Sequence, residues 1–279
     1  MAIPAKVLDR LSSGLKKFQP ILTSAKTRDV NESDTVVIIT DMLSEIFGYD
    51  KYSEITTEHV IKKTYCDLAI KIDGKVKLLI EVKAIGLELK DDYIKQAIDY
   101  GANAGIEWVI LTNGVIWQIY RISFSKPIDK ELVYELNLTN ISLKNESHIE
   151  PIYYLCREAL GKSLLDEYHS QKQALSKYYI GQMILTETIL DVVKRELRRL
   201  TPGVKIENDE IEEVLRTDII KRDVLDGEKA IDAKKKIQKA ANNYIRNAPA
   251  SPKKETKDFV QNEANRPVNN NLEAEPPQS

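Results

Sequence analysis

Cysteine and histidine are scarce in this chain, two and three among 279 residues, and that scarcity removes whole classes of chemistry at the outset. Cys66 and Cys156 are too few and too far apart for a disulfide framework, and with three histidines no zinc cluster is expected. Long apolar runs are missing too: nothing approaches the roughly 18 consecutive apolar residues that span a bilayer. No secretion signal is expected at the N-terminus. A basic excess is also lacking, since 41 Lys and Arg face 43 Asp and Glu for a formal net charge of −2, which argues against a non-specific coat on nucleic acid. Gly161-Lys162-Ser163 imitates the end of a phosphate-binding P-loop, but the first glycine would fall at Cys156, and the preceding segment reads as helix where a P-loop follows a strand. The expectation is a reduced, cytoplasmic protein without a nucleotide-driven motor or a membrane partner.

What is present is a stretch from Tyr65 to Lys83, YCDLAIKIDGKVKLLIEVK, that reads as two short strands around an Asp-Gly turn. Side chains alternate faces along a strand. Leu68, Ile70 and Ile72 form one apolar row and Val76, Leu78, Ile80 and Val82 the other. Matching these rows across the turn requires an odd loop, so three residues containing Asp73-Gly74 are expected, with glycine taking the left-handed position. Asp67, Glu81 and Lys83 then share the opposite face, with Asp67 across from or diagonal to Glu81, within about 5 to 8 Å at Cβ. Two carboxylates that close repel unless a positive charge lies between them. Mg²⁺ suits, because it takes oxygen ligands at about 2.1 Å and keeps positions for water and substrate phosphate; Mn²⁺ is the natural substitute. An ammonium at Lys83 would orient or help deprotonate the attacking water while the metal polarises a phosphodiester. Glu-x-Lys alone is an ordinary surface pattern; its weight here comes from Asp67 on the same face and from Glu81 lying inside the apolar run LLIEV.

These residues resemble the core motif of the PD-(D/E)xK nuclease superfamily, and specifically the N-terminal nuclease domain of type I restriction enzyme R subunits, over about Asn31 to Ile122. Asp67, Glu81 and Lys83 match the acidic residue and the Glu-x-Lys, although Cys66 stands where the motif name has proline. Gln96 and Tyr100 match a Gln-x-x-x-Tyr on the following helix, four apart and so on one helix face. The run EWVILTNGVIWQIYRI is similar as well. The resemblance implies a glutamate on the first core helix, for which Glu32 is preferred over Glu45, and a Gly-aromatic close at Gly48-Tyr49. It implies a Mg²⁺-dependent endonuclease acting on DNA, in defence against foreign DNA, with Asp67, Glu81 and the Val82 carbonyl holding the metal and Lys83 serving the water. The helicase part of full R subunits would not fit in 279 residues. The competing class is a catalytically silent nuclease fold that binds nucleic acid or assembles complexes.

The fold expected is α/β: a restriction-endonuclease-like mixed sheet flanked by helices over residues 1 to 140, an all-helical region over 150 to 247, and a disordered tail over 248 to 279 rich in Pro, Asn, Lys and Glu. Helices are expected at 3 to 18, at 33 to 47 with Ser33 or Asp34 as cap and Val36, Val37, Ile39, Ile46 and Phe47 inward, and at 91 to 104. Strands follow at 108 to 112, 115 to 122 and 132 to 138. Further helices are expected at 150 to 160, 163 to 178, 182 to 200 and 207 to 246, with Thr201-Pro202-Gly203 breaking the last two apart. The heptad-like stretches IEEVLRTDIIKRDVL and AKKKIQKAANNYIR suit a protein partner, self-association or packing within the monomer. Lys62, Lys63, Lys71, Lys75, Lys77 and Lys83 surround the candidate site and suit phosphate contacts.

Overall fold

The computed structural model describes residues 3–61, 64–124 and 128–247; Lys62, Lys63 and the tail expected to be disordered lie outside them. Six strands form one sheet in the order β1 (Ile55–Ile61), β2 (Thr64–Ile72), β3 (Lys75–Val82), β4 (Trp108–Thr112), β5 (Ile116–Ser123) and β6 (Asp129–Asn137). Every neighbouring pair is antiparallel except β3 and β4, which run parallel. The sheet is therefore mixed, because the helix between β3 and β4 returns the chain to the end from which β3 started.

The apolar rows place this sheet between two cores. Leu68, Ile70, Ile72, Leu78, Ile80 and Val82 face α1 (Ala5–Thr27), α2 (Glu32–Glu45) and the later helices, in a cluster with Leu11, Phe18, Ile39, Phe47 and Trp117. Ala69, Leu79, Val109 and Leu111 face α3 (Lys95–Ala104), joining Ala97, Ile98 and Tyr100. The odd face of the hairpin is thus, around Ala69 and Leu79, a second core under α3.

The turn differs from the expected one. Asp73 and Gly74, at φ 52° and 72°, form a two-residue loop, the left-handed pair that suits the strand twist. Ile72 pairs with Lys75 and Lys71 with Val76; a bulge between Ile70 and Lys71 then shifts the register so that Ile70 meets Leu78 and Leu68 meets Ile80. An extra residue in one strand restores the parity that an odd loop would have provided. Val76, on the turn side of the bulge, consequently packs against the α3-side cluster instead of the row containing Leu78.

Other expectations shift for local reasons. Asn31 caps α2, its side chain accepting from the Asp34 N–H at 2.9 Å, so the helix starts at Glu32. Val37 turns outward and is 60% exposed. α1 continues to Thr27 through Pro20. β1, whose sequence ITTEHVI alternates only weakly, was not foreseen.

The chain divides into two compact units, the first ending at Ile180. In the first, α4 (Glu146–Tyr153), α5 (Arg157–Gly161) and α6 (Leu164–Ala174) follow the sheet and add Ile152, Leu155 and Leu165 to the larger core. Both cysteines are fully buried, and burial pushes each thiol up to about 12, which leaves them unreactive. Next, α7 (Lys177–Ile184) carries the chain into the second unit, made of α8 (Glu187–Leu200), α9 (Asn208–Val214), a π-helical turn at Leu215–Ile219, α10 (Arg222–Leu225) and α11 (Glu228–Asn247). The single helix expected from 207 to 246 is broken at extended Ile220 and again at Gly227, whose φ is 93°. Among the described residues no helix is long and apolar enough to cross a membrane.

Arg10 ties three segments of the first unit together. Its guanidinium donates to both Glu158 oxygens at 2.7 Å and to the carbonyls of Ile46 and Phe47. Gly48, at φ 84°, lies so close that a Cβ there would sit 2.4 Å from the Arg10 guanidinium carbon. The hydrogen bond from Arg10 is the main reason the Glu158 carboxyl is held below its ordinary 4.5. A depressed carboxyl stabilises the fold above its unfolded value and loses that contribution as pH falls through the folded one. Glu158→Gln is therefore expected to cost about 1 to 2 kcal/mol at pH 7. The gap to the native chain should narrow as pH falls below the ordinary carboxyl value of 4.5, read by urea unfolding at several pH values.

Candidate active site

The site forms where β3 leaves the sheet. Pairing with β2 is recorded as far as Leu68 and Ile80, and just beyond it the Val82 N–H donates to the Asp67 carboxylate at 2.7 Å. On the other side the Lys83 N–H donates to the Thr112 carbonyl at 2.8 Å. Asp67 thus replaces a ladder acceptor, while β3 stays bound to β4.

Glu81 is 8% exposed. Its Oε1 accepts from Lys83 Nζ at 2.8 Å, and the same Nζ donates to the Val82 carbonyl at 2.8 Å and approaches Glu32 Oε2 at 3.5 Å. Burial raises the Glu81 carboxyl above its ordinary value; the Lys83 hydrogen bond pulls it back, while Asp67 and Glu32 push it up again. For Lys83 burial is the largest influence and works against the charge, yet the bond to Glu81 and the charges of Glu81, Glu32 and Asp67 prevail and hold its pKa above the ordinary lysine value. Lys83 is an ammonium at neutral pH. Orienting water and offsetting phosphate charge agree with that state; accepting a proton does not.

These oxygens suit a hard divalent cation. Two carboxylates and a carbonyl are the donors Mg²⁺ takes, and Glu81, Val82 and Glu32 already point oxygens at one positive charge. Among the described residues no three His, Cys, Asp or Glu side chains gather around one point, so a cation here would complete its shell with the carbonyl, water and phosphate.

Of the other residues read from the sequence, Glu32 stands at the first position of α2, within reach of Lys83, whereas Glu45 ends that helix and pairs with Lys17. Gln96 is exposed on the first turn of α3; Tyr100, one turn later, is fully buried and its phenol is raised by burial. The two share a helix but not an environment. Lys75 and Lys77 are exposed and Lys71 is half-buried.

Asn113 was missed as a site residue. Its Nδ2 donates to the Leu87 carbonyl at 2.9 Å, and its Oδ1 accepts from the N–H groups of Val115 and Ile116. It clamps the segment after Lys83 to the β4–β5 turn. The sequence signal was Asn-Gly itself, which reads as a turn and conceals the second task of the side chain.

Residues 38–136, about a third of the chain, match the family described as the type I restriction enzyme R protein N terminus. The match runs from within α2 to within β6 and includes Asp67, Glu81 and Lys83, the residues that carry the resemblance in the sequence. No curated protein and no solved structure gives a significant match.

Removing Lys83 leaves a buried carboxylate without its cation. Lys83→Met is expected to destabilise the chain by about 1 to 3 kcal/mol at pH 7. A carboxyl whose folded pKa is raised opposes folding above its unfolded value and costs nothing once protonated in both states. The deficit of the variant should therefore shrink toward pH 4, and a deficit independent of pH would show that Glu81 is not its source.

Proposed function

We propose that this chain is a divalent-metal-dependent deoxyribonuclease hydrolysing phosphodiester bonds, centred on Asp67, Glu81 and Lys83. The observation that carries the reading is the convergence of Glu81, Val82 and Glu32 oxygens on the Lys83 ammonium beside a tethered Asp67, in a strand inside the matched segment. The family description names a restriction enzyme, which makes DNA the substrate class to test first.

Asp67, Glu81 and the Val82 carbonyl would hold Mg²⁺, or Mn²⁺ in its place. The ion would supply Lewis-acid polarisation of the phosphodiester and water of lowered pKa. Asp67 is fixed by the Val82 N–H before any substrate arrives, so its position need not be organised during the reaction. The near-complete burial of Glu81 strengthens its interaction with any cation it holds, because water screens it little. Lys83 supplies a permanent positive charge for the non-bridging oxygens of a phosphate and can orient water by donation. Thr112 holds the backbone of Lys83 itself and Asn113 holds the segment that follows it.

The test uses plasmid, linear and single-stranded DNA, with RNA as the contrast, in Mg²⁺ or Mn²⁺ and after chelation. Cleavage of DNA that stops on chelation is expected, and Asp67→Ala and Lys83→Ala should each lower the rate by about a hundredfold or more. Equal cleavage by all three proteins would remove the assignment of these residues.

A further inference from the structure

We propose that Lys83 is a built-in competitor for the divalent cation, expelled from Glu81 and the Val82 carbonyl when the cation binds and received by Glu32. This rests on the metal-dependent reading above and concerns how the same site is loaded.

Lys83 Nζ lies 2.8 Å from Glu81 Oε1 and 2.8 Å from the Val82 carbonyl, two of the three groups assigned to the metal. A divalent cation needs such oxygens at about 2.1 Å. An ammonium and a cation cannot both use them, and two positive centres a few ångströms apart repel strongly in a corner where Glu81 is 8% exposed. The ammonium has somewhere to go. Glu32 Oε2 is already 3.5 Å away, and its side chain is 48% exposed against 15% for Lys83, so movement toward it leads outward. The side chain of lysine has four rotatable carbons, which allows this swing without a change of backbone. Lys83 also keeps Glu81 paired until a metal arrives, which avoids a bare buried carboxylate.

The consequence opposes what a simple list of catalytic groups implies: removing Lys83 should slow cleavage by about a hundredfold or more yet improve metal binding. Isothermal titration of the full chain with Mg²⁺ and with Mn²⁺ reads this directly. Lys83→Gln is expected to bind about tenfold tighter than the native protein. Glu32→Gln, a change at an exposed residue that should fold normally, is expected to bind more weakly because the displaced ammonium has lost its acceptor. That loss should vanish when Glu32→Gln is added to Lys83→Gln, as a double-mutant cycle requires if Glu32 acts through Lys83. Unchanged or weaker binding by Lys83→Gln would overturn the competition and leave the metal site standing. An equal effect of Glu32→Gln in both backgrounds would overturn the role given to Glu32. No binding by the native chain or by any variant would overturn the metal-dependent reading itself, and the competition with it.

Discussion

A single charge-assisted hydrogen bond, from the Val82 N–H to the Asp67 carboxylate at 2.7 Å, holds the geometry on which the site depends. It lies where β2 and β3 stop pairing. A buried N–H left without an acceptor costs about 1 to 3 kcal/mol, and a carboxylate acceptor makes the bond stronger than a neutral one. One bond therefore completes the hydrogen bonding of β3 and fixes a carboxylate beside Glu81. The alternation of backbone groups along β3 does the rest. Val82 donates toward β2, Lys83 donates toward Thr112 on β4, and the Val82 carbonyl meets the Lys83 ammonium.

The position of β3 gives those charges their strength. Its even row packs against the core under α1 and α2, and Leu79 packs against the core under α3. A strand covered on both faces exposes its functional groups only at its end, where screening by water is weakest on the side of the protein. Glu81 and Lys83 consequently influence each other strongly, one carboxyl raised by burial and one ammonium stabilised by three carboxylates. The competition proposed between that ammonium and a metal ion rests on the same crowding.

Much of this was legible in the sequence because period-two alternation survives in the hairpin. The rows Leu68 to Ile72 and Leu78 to Val82 predicted which residues face the larger core, and Asp67, Glu81 and Lys83 were picked out because the same alternation puts them together on the opposite face. The bulge after Ile70 was not legible, since a bulge changes which residues pair without changing which residues are apolar. Its trace is Val76, which belongs to the apolar row in the sequence and to the opposite core in the fold. Strand β1 was missed because ITTEHVI mixes polar and branched residues. The task of Asn113 was hidden behind its turn signal, and the exposure of Val37 behind the assumption that neighbouring valines share a fate. Sequence spacing placed Gln96 and Tyr100 on one helix face, whereas tertiary packing buries the second and leaves the first at the surface.

The proposed place of a divalent cation, among Asp67, Glu81 and the Val82 carbonyl, is the central claim. Anomalous diffraction from crystals of the chain grown with Mn²⁺ tests it most directly. The account predicts a single strong anomalous peak bounded by those three groups, with the Lys83 ammonium turned away toward Glu32. A peak at any other place, or Lys83 still bonded to Glu81 and the Val82 carbonyl with Mn²⁺ beside them, would contradict it.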